Sequence, residues 1–557
     1  MAAPHSFARA SLMAAALAAI VSVADSSRAT SPRFYPDDPI WQDPDTALDA
    51  SKALEHADSN GYDFIVNTFS RPGERIDVKA QNVNTLDEVP DSSWFTNRIG
   101  RREMSVTDIV RGPDRGATVV SLDGWVISRD KGSGVQPGFR MTDPAGQLYQ
   151  IEVDPPANPE MATGAEMIGT AFYHAFGYHT VEVSLTEFAA DALVISEKAT
   201  IRDAYNGKRR PFTRRDLEDV LRRAARQPNG KYRALVSRFA AGRPLGNFRY
   251  YGTRPDDPND IVPHEHRREL RAARVFGAWL NHDDSRGVNS LDMLEPQAAG
   301  GAIKHYMFDF GSILGSGTVF AQARRAGHEY IFEHAPGWRT LATLGFTVRP
   351  WMRIDYPDVP ASVGRFEGDG FEPESWKPEY PNAAFENMRP DDAFWGARIV
   401  SRFTNEAIRA IVDKARYSDP KATDYITDVI IKRRDKVLRR WLTGVNPIVE
   451  LKLAGDGGLS FANAATAAGV APPADRYTLQ WFRLDNATDT RTDVGEPVTV
   501  SAPTATAPQA LLSTRAGDYI GVAIAASHAD HPAWARPATF YFRRTADAWE
   551  WVGAARE

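Results

Sequence analysis

The chain has 557 residues, of which 43% are hydrophobic, 25% charged and 10% aromatic, a composition that excludes a mainly disordered or fibrous protein. Its 66 Lys and Arg residues against 72 Asp and Glu residues give a net charge of -6, which argues against nucleic acid as a partner. Cysteine is absent, and this excludes disulfides, thiolate metal sites and cysteine nucleophiles. The length predicts about three or four domains.

The first residues have the pattern of an export signal. A short start containing Arg9 precedes an apolar run at 12–23, and Ser22-Val23-Ala24 offers small residues for cleavage. We predict a signal peptide at 1–24 and a periplasmic or secreted mature protein; an N-terminal helix is the alternative. No later stretch reaches the roughly 18 apolar residues of a membrane helix, so we predict no transmembrane segment.

Residues 25–200 are predicted to form a β-rich lobe after a Pro- and Asp-rich loop that extends to about residue 60. The turn sequence Asp143-Pro144-Ala145-Gly146 favours a hairpin, and a helix is predicted from Pro159 to Phe176. The predicted strands are 125–128, 139–142, 148–153, 181–185 and 192–196.

Residues 201–446 are predicted to be helical, because apolar residues recur there at helical spacing. The predicted helices are 214–225, 266–280, 392–414 and 419–442. The Arg and Glu residues of the helix at 266–280 predict a face exposed to solvent. Residues 447–557 are predicted to contain an Ala- and Gly-rich linker at 455–473 and then a separate small all-β domain of five strands.

Residue types suited to catalysis concentrate after the predicted helix that ends at Leu280. His282 precedes Asp284 by two residues, Asn289 follows it by five, and Asp309-Phe310-Gly311 comes after two strand-like runs. This is the spacing of a kinase catalytic loop and its downstream metal-binding motif. We predict Asp284 and His282 as catalytic residues, with Asp284 taking the proton of an acceptor hydroxyl. Asn289 and Asp309 are predicted to hold Mg²⁺ or Mn²⁺. The alternative is a loop aspartate that caps backbone amides, followed by a glycine turn.

A family resemblance is carried by four stretches, at 256–260 (DDPND), 264–269 (HEHRRE), 281–284 (NHDD) and 305–315 (HYMFDFGSILG). They resemble a group of uncharacterised exported bacterial proteins whose core is similar to atypical protein-kinase-like folds, the group that includes HipA-type, CotH-type and phosphoinositide kinases. The likeness covers roughly residues 60–445. It implies an α+β fold with a two-lobed core, a β-rich N-lobe and a helical C-lobe. It further implies ATP or another nucleotide in the cleft with Mg²⁺ or Mn²⁺, and a protein or small-molecule acceptor.

The N-terminal half departs from the kinase pattern at one position. The sequence Lys131-Gly132-Ser133-Gly134 can form the loop that covers the phosphates, although such a turn is also a common hairpin. The following strand should carry a phosphate-binding lysine, and the matching position is Glu152. Lys131 or Lys198 is predicted to substitute for it. Glu166, in the predicted helix, is either the partner of that lysine or a solvated helix acid.

Two further functions remain open, and so does the role of the C-terminal aromatic residues. Glu152 and export favour an inactive pseudokinase that binds a ligand or an envelope partner. A metal-dependent hydrolase is the third possibility, with ligands drawn from His264, His266, His282, Asp283, His305 and Asp309. The aromatic residues of the C-terminal region can form either a glycan-binding platform or the core of that region; they are Trp481, Tyr519, Tyr541, Trp549 and Trp551.

Overall fold

The computed structural model describes residues 31–114, 119–132, 134–203, 205–297 and 300–556. The predicted signal peptide at 1–24 lies outside these residues. The described chain combines helices with four β-sheets, which confirms the predicted α+β class. Within these ranges, no helix combines the length and the apolar character that crossing a membrane requires.

Residues 31–114, which we call the N-terminal segment, wrap over the rest of the protein with little regular structure. The Pro- and Asp-rich sequence predicts this only for the part before about residue 60. The segment contains helix α1 (Asn60–Ile65), a π-turn at Val66–Ser70 and helix α2 (Val106–Arg111). Phe34 packs against Tyr541 near the C-terminus. The backbone N–H of Leu48 donates to the side chain of Asn259. The segment therefore links distant parts of the chain.

Seven strands form the largest sheet. They are β1 (Val126–Asp130), β2 (Gly138–Thr142), β3 (Leu148–Val153), β4 (Val183–Phe188), β5 (Val194–Arg202), β6 (Arg209–Pro211) and β7 (Tyr232–Arg238). Their order across the sheet is β4-β7-β3-β2-β1-β5-β6. Because β6 and β7 belong to it, the sheet continues past residue 200, where the sequence predicts the lobe boundary.

The two faces of this sheet have different neighbours. Ile151 and Val153 of β3 are buried in an apolar cluster with Phe139 of β2. Since successive side chains of a strand alternate between faces, Glu152 lies on the opposite side of β3. Helix α3 (Met161–Phe176) packs on that side, where Met167 joins residues of β4 and β7.

The middle of the chain is mainly helical. Its helices are α4 (Arg214–Leu221), α5 (Arg268–Leu280), α6 (His334–Ala342), α7 (Ala383–Glu386), α8 (Pro390–Ser401), α9 (Asn405–Asp413) and α10 (Pro420–Trp441). A small sheet contains β8 (Arg243–Pro244), β9 (Ser290–Gln297) and β10 (Gly300–Met307). The single helix predicted at 392–414 is wrong, because Thr404 starts a new helix by accepting a hydrogen bond from the backbone N–H of Ala407.

Two further sheets occupy the C-terminal region. The elements are β11 (Ile448–Leu453), β12 (Gly458–Asn463), α11 (Ala464–Ala467), β13 (Arg476–Asp485), β14 (Thr490–Asp493), β15 (Val498–Val500), β16 (Thr504–Thr506), α12 (Gln509–Leu512), β17 (Tyr519–Ser527), β18 (Ala538–Arg544) and β19 (Trp549–Arg556). Strands β11, β12 and β16 form one sheet, and the others form the second. The linker predicted at 455–473 is wrong in its first half, which contains β12 and α11.

The C-terminal strands share their core with the helices. Trp279 of α5, Leu438 of α10, Leu451 of β11 and Trp481 of β13 belong to one continuous apolar cluster. Trp481, Tyr541 and Trp549 are buried. These three aromatic side chains therefore contribute to the core of the C-terminal region, which is one of the two roles that the sequence leaves open. They present no exposed platform to a glycan.

Candidate functional site

The loop that contains Asp284 follows α5, and two strands follow the loop, as the sequence predicts. The helix ends at Leu280, and the next residue, Asn281, has a left-handed backbone conformation (φ 51°). Strands β9 and β10 then pair as an antiparallel hairpin, and the chain turns sharply at Asp309, which is also left-handed (φ 63°). The N–H of Leu314 donates to the carbonyl of Leu280 at 2.8 Å. The hairpin therefore returns Asp309 to the end of α5, beside Asp284.

His282 anchors this loop to α3. Its Nδ1 lies 2.7 Å from the hydroxyl oxygen of Tyr173, and its Nε2 is buried without a partner. Burial, with a smaller effect of Arg286, lowers the pKa of His282 to about 3, so the ring stays neutral. This geometry gives His282 a positioning role, since neither ring nitrogen is open to a substrate.

Asp284 is paired with a cation that the sequence prediction did not include. The guanidinium of Arg286 forms an ion pair with Asp284 and a second one, at 3.0 Å, with Glu379. Burial raises the pKa of Asp284, Arg286 opposes this rise, and the charges of Glu379 and Asp309 add to it. The side chain of Asn289 lies beside Asp284, because its Nδ2 donates to the Asp284 carbonyl at 2.9 Å.

Asp309 lies among other acids. Its side chain is open to solvent, yet the surrounding protein displaces enough water to raise its pKa, and the charge of Glu152 raises it further. Glu166 of α3 is buried and accepts a hydrogen bond from the N–H of Gly311. Burial, Asp309 and Glu152 together raise the pKa of Glu166 well above its usual value. We call Glu152, Glu166, Asp284 and Asp309 the acidic cluster.

Lys131 is the cation of the glycine-rich turn that reaches this cluster. Its Nζ lies 2.5 Å from Oε1 of Glu152 and 3.1 Å from the carbonyl of Gln136, and its charge lowers the pKa of Asp309. Gly134 has a positive φ of 87°, and a Cβ there would meet Nζ of Lys131 at 3.0 Å. The positive φ therefore favours glycine at this position, while the lysine side chain could yield to a Cβ.

The other predicted residues of the turn and sheet are less closely connected with the cluster. Gly132 also has a positive φ, of 95°, while Ser133 lies outside the described residues. Lys198 is exposed on β5, and β1 and β2 separate β5 from β3 in the sheet. Lys131, rather than Lys198, is therefore the lysine that the structure brings to Glu152.

The histidines of the hydrolase interpretation have other partners. Nε2 of His264 is hydrogen-bonded to the Asp260 carboxylate at 2.7 Å, and Nδ1 of His305 to the Asp292 carboxylate at 2.7 Å. Nδ1 of His266 accepts a hydrogen bond from Arg271 at 2.8 Å. Trp94 stacks on His305 with 3.5 Å between ring centroids. Within the described residues, no group of three or more His, Asp and Glu side chains is placed to hold a metal ion.

Arg286 and Glu379 were missed by sequence reasoning. Arg286 lies inside the motif, where a kinase-like spacing leaves the position unspecified. Glu379 lies 93 residues further on, and no local pattern connects it with the loop.

A cavity of about 680 Å³, lined by residues that include Leu185, Arg233 and Tyr417, contains none of the acidic cluster. Comparison with protein families, characterised proteins and solved structures gave no match.

Asp283→Asn should stabilise the protein at alkaline pH. Burial, with the charge of Glu379, raises the pKa of Asp283 to about 7. A carboxyl whose pKa is raised on folding stabilises the fold at low pH, and this contribution is lost as pH rises through the folded pKa. Asparagine does not ionise, and its Oδ1 can still accept from the N–H of Gly327. We expect a gain of about 1–3 kcal/mol near pH 8 and little change near pH 4, measured by urea unfolding.

The control for this prediction is Asp475→Asn, which changes an exposed acid and should leave the free energy of unfolding the same at both pH values. An equal effect of Asp283→Asn at both pH values would show that packing, and not ionisation, accounts for the change.

Proposed function

We propose that this protein is a kinase-like phosphotransferase with a two-lobed core and an appended C-terminal β region. The seven-stranded sheet with α3 corresponds to the N-lobe and the helices from α5 to α10 to the C-lobe. The proposed reaction moves a phosphoryl or nucleotidyl group from ATP or another nucleoside triphosphate to a protein or small-molecule acceptor. We further propose that the signal at 1–24 exports the protein and that the reaction takes place in the periplasm or outside the cell.

The observation that carries this proposal is the meeting of three separate sequence regions at one point. The glycine-rich turn contributes Lys131, the helix after β3 contributes Glu166, and the loop and hairpin after α5 contribute Asp284 and Asp309. Their charges shift one another's pKa values, as described above. Nucleotide-dependent phosphoryl transfer uses a cation, a metal-binding carboxylate and a base at one site.

Each of these side chains has a chemical role in the proposal. Asp309 and the amide oxygen of Asn289 are the hard oxygen ligands that Mg²⁺ or Mn²⁺ prefers, and the metal would neutralise phosphate charge. Asp284 orients the acceptor hydroxyl and takes its proton; the raised pKa of its carboxyl suits a base. Lys131 contacts phosphate once it separates from Glu152. Glu166 holds the backbone of Gly311, and therefore Asp309, against α3.

A pseudokinase remains the second candidate, and two ion pairs favour it. Glu152 engages Lys131, and Arg286 engages Asp284, so the cation and the base that the reaction needs are both occupied. In this alternative the same surface binds a ligand or an envelope partner without chemistry.

The test is a calorimetric titration of ATP into the chain from residue 25, with Mg²⁺ or Mn²⁺. Metal-dependent binding that is lost in Lys131→Met supports the nucleotide site. Absence of binding by the folded protein with either metal contradicts the phosphotransferase proposal. Transfer of labelled phosphate from the γ position, or of labelled nucleotide from the α position, then distinguishes the two reactions and separates both from the pseudokinase.

Glu152→Gln should strengthen ATP binding. The substitution removes a negative charge from beside the phosphates and frees Lys131 from its ion pair, while a glutamine of the same shape keeps the packing. We expect affinity to rise by up to roughly fivefold, since a partly exposed ion pair contributes up to about 1 kcal/mol. The matched control is Glu187→Gln, which changes an exposed acid on β4. A weaker complex with Glu152→Gln would indicate that Glu152 itself helps to bind the metal.

A further inference from the structure

Residues 331–353, which we call the apolar finger, expose an unusual number of large hydrophobic side chains. Helix α6 carries Trp338, which is 68% exposed, and the turn that follows it carries Leu344 and Phe346, at 84% and 86%. Further exposed members of the same segment are Ile331, Phe332, Leu341, Val348 and Met352. Soluble surfaces rarely group so much apolar area, and such a patch marks an interaction site.

The apolar finger is built by its own polar contacts. The guanidinium of Arg349 pairs with Glu329 and donates to the hydroxyl of Thr340 at 2.6 Å and to the carbonyl of Pro336 at 3.1 Å. These bonds tie the end of the segment to the helix at its start. The internal contacts of the apolar finger are therefore polar, and its large apolar side chains are exposed to solvent.

The base of the finger continues into two neighbouring features. Phe332 packs on Phe69, with 5.2 Å between ring centroids, and Phe69 is itself exposed next to the end of α1. The N–H of Ile331 donates to the carbonyl of Glu379 at 2.7 Å, and the carboxylate of Glu379 pairs with Arg286. The apolar surface is therefore connected directly to the loop that carries Asp284.

The unpaired charges on the finger are positive. Arg339 and Arg353 are exposed and form no ion pair in the described part of the chain. The one acid of the segment, Glu333, is paired with Lys377 at 2.5 Å. Exposed aromatic and aliphatic residues with arginine beside them are typical of protein segments that insert into the interface of a bilayer containing anionic lipid.

We propose that the apolar finger docks the protein on the surface of an anionic lipid bilayer. Leu344 and Phe346 are almost fully exposed, and a bilayer accepts such side chains without a complementary groove, whereas a protein partner would have to supply one. Arg339 and Arg353 meet the headgroups while the apolar side chains enter the interface. Where the proposed phosphotransfer also holds, docking places Asp284 near acceptors that reside in the membrane.

The experiment is cosedimentation of the chain from residue 25 with vesicles of phosphatidylcholine, alone or mixed with phosphatidylglycerol. We expect binding to the mixed vesicles and at least tenfold weaker binding to phosphatidylcholine alone. The variant with Trp338→Ser, Leu344→Ser and Phe346→Ser should lose binding to both. Because these side chains are exposed, its unfolding midpoint should match that of the wild type.

Two further variants complete the test. Arg339→Glu with Arg353→Glu should remove the preference for anionic lipid, and Ile261→Ser, at a side chain 80% exposed elsewhere on the surface, should bind as the wild type does. Wild-type protein that stays in the supernatant overturns the proposal. So does a triple serine variant that still sediments, or a wild-type dimer that this variant abolishes, which would identify a second copy as the occupant. ATP titration of the same samples shows separately whether the nucleotide site holds.

Discussion

Asp309→Asn is expected to abolish metal-dependent ATP binding while leaving the protein at least as stable as the wild type. The asparagine keeps the size of the side chain and removes the charge that a divalent cation needs. Hydrogen bonds and contacts to charged groups contribute about 1.5–3 kcal/mol each, so the affinity should fall by at least roughly tenfold. Calorimetric titration of ATP with Mg²⁺ or Mn²⁺ measures this loss.

The expected gain in stability has a separate physical cause. The surrounding protein, which displaces water, and the charge of Glu152 raise the pKa of Asp309. The ionised form of Asp309 is therefore less favourable in the folded chain than in the unfolded one. Its contribution to stability is present at low pH and is lost as pH rises through the folded pKa. The neutral asparagine avoids that loss, so the unfolding midpoint of the variant should rise near pH 8 and change little near pH 4.

The control for Asp309 is Asp123→Asn, an exposed acid before β1, which should affect neither measurement. Wild-type affinity in Asp309→Asn would exclude Asp309 as a metal ligand. A large drop in the unfolding midpoint would instead make Asp309 a structural residue, held by the left-handed turn in which it lies.

The sequence predicted which helices and strands form more successfully than the residues at which they begin and end. The helix α10 and the strand β3 match their predictions to within a residue at each end, because long apolar periodicity and a clear turn define them. Helix α3 begins at Met161 and not at Pro159, because Asp154 accepts hydrogen bonds from the N–H groups of Ala162 and Thr163 and so fixes the first turn. Local patterns show that a helix exists, and distant caps decide where it begins.

The site was predicted as far as motif spacing reaches. Asp284 and Asn289 follow the end of α5, and one hairpin separates Asn289 from Asp309. The helix and the hairpin both leave clear local signals. The pairing of Lys131 with Glu152 depends on the register of β2 and β3, in which Gly138 faces Glu152, and a single sequence does not determine that register. The ion pair of Arg286 with Glu379 joins residues that are far apart in the chain, so only the folded arrangement reveals it.

Charged residues were the largest source of error in reading the core. The exposed face that Arg and Glu residues predict for the helix at 266–280 is wrong, since Arg268, Glu269 and Arg271 are buried. An amphipathic pattern assigns charge to solvent, and it fails where opposite charges from distant segments meet inside the protein. The strongest test of this packing lies at Arg268.

Arg268→Ala is expected to destabilise the protein by about 3–5 kcal/mol. The buried guanidinium donates to Asp87 at 2.7 Å and to Asp391 and Asp392 at 3.0 Å each. These three carboxylates come from the N-terminal segment and from α8, while Arg268 itself begins α5. Removing the cation leaves Asp392, which is fully buried, with Arg271 as its remaining cationic partner, at 3.2 Å. Urea unfolding near pH 7 measures the loss.

The matched control is Arg409→Ala. Arg409 also pairs with two aspartates, Asp413 and Asp424, but on the surface, where screening by water limits the loss to less than about 1 kcal/mol. Combining Arg268→Met with Asp391→Asn should recover part of the lost stability, because Asp391 is then neutral and Asp392 keeps Arg271 as its cationic partner. Equal losses in Arg268→Ala and Arg409→Ala would show that the buried network contributes no more than surface pairs do. A larger loss at Arg268, partly recovered by the double change, would show that ionic contacts between the N-terminal segment, α5 and α8 hold in place the helix from which the loop of Asp284 extends.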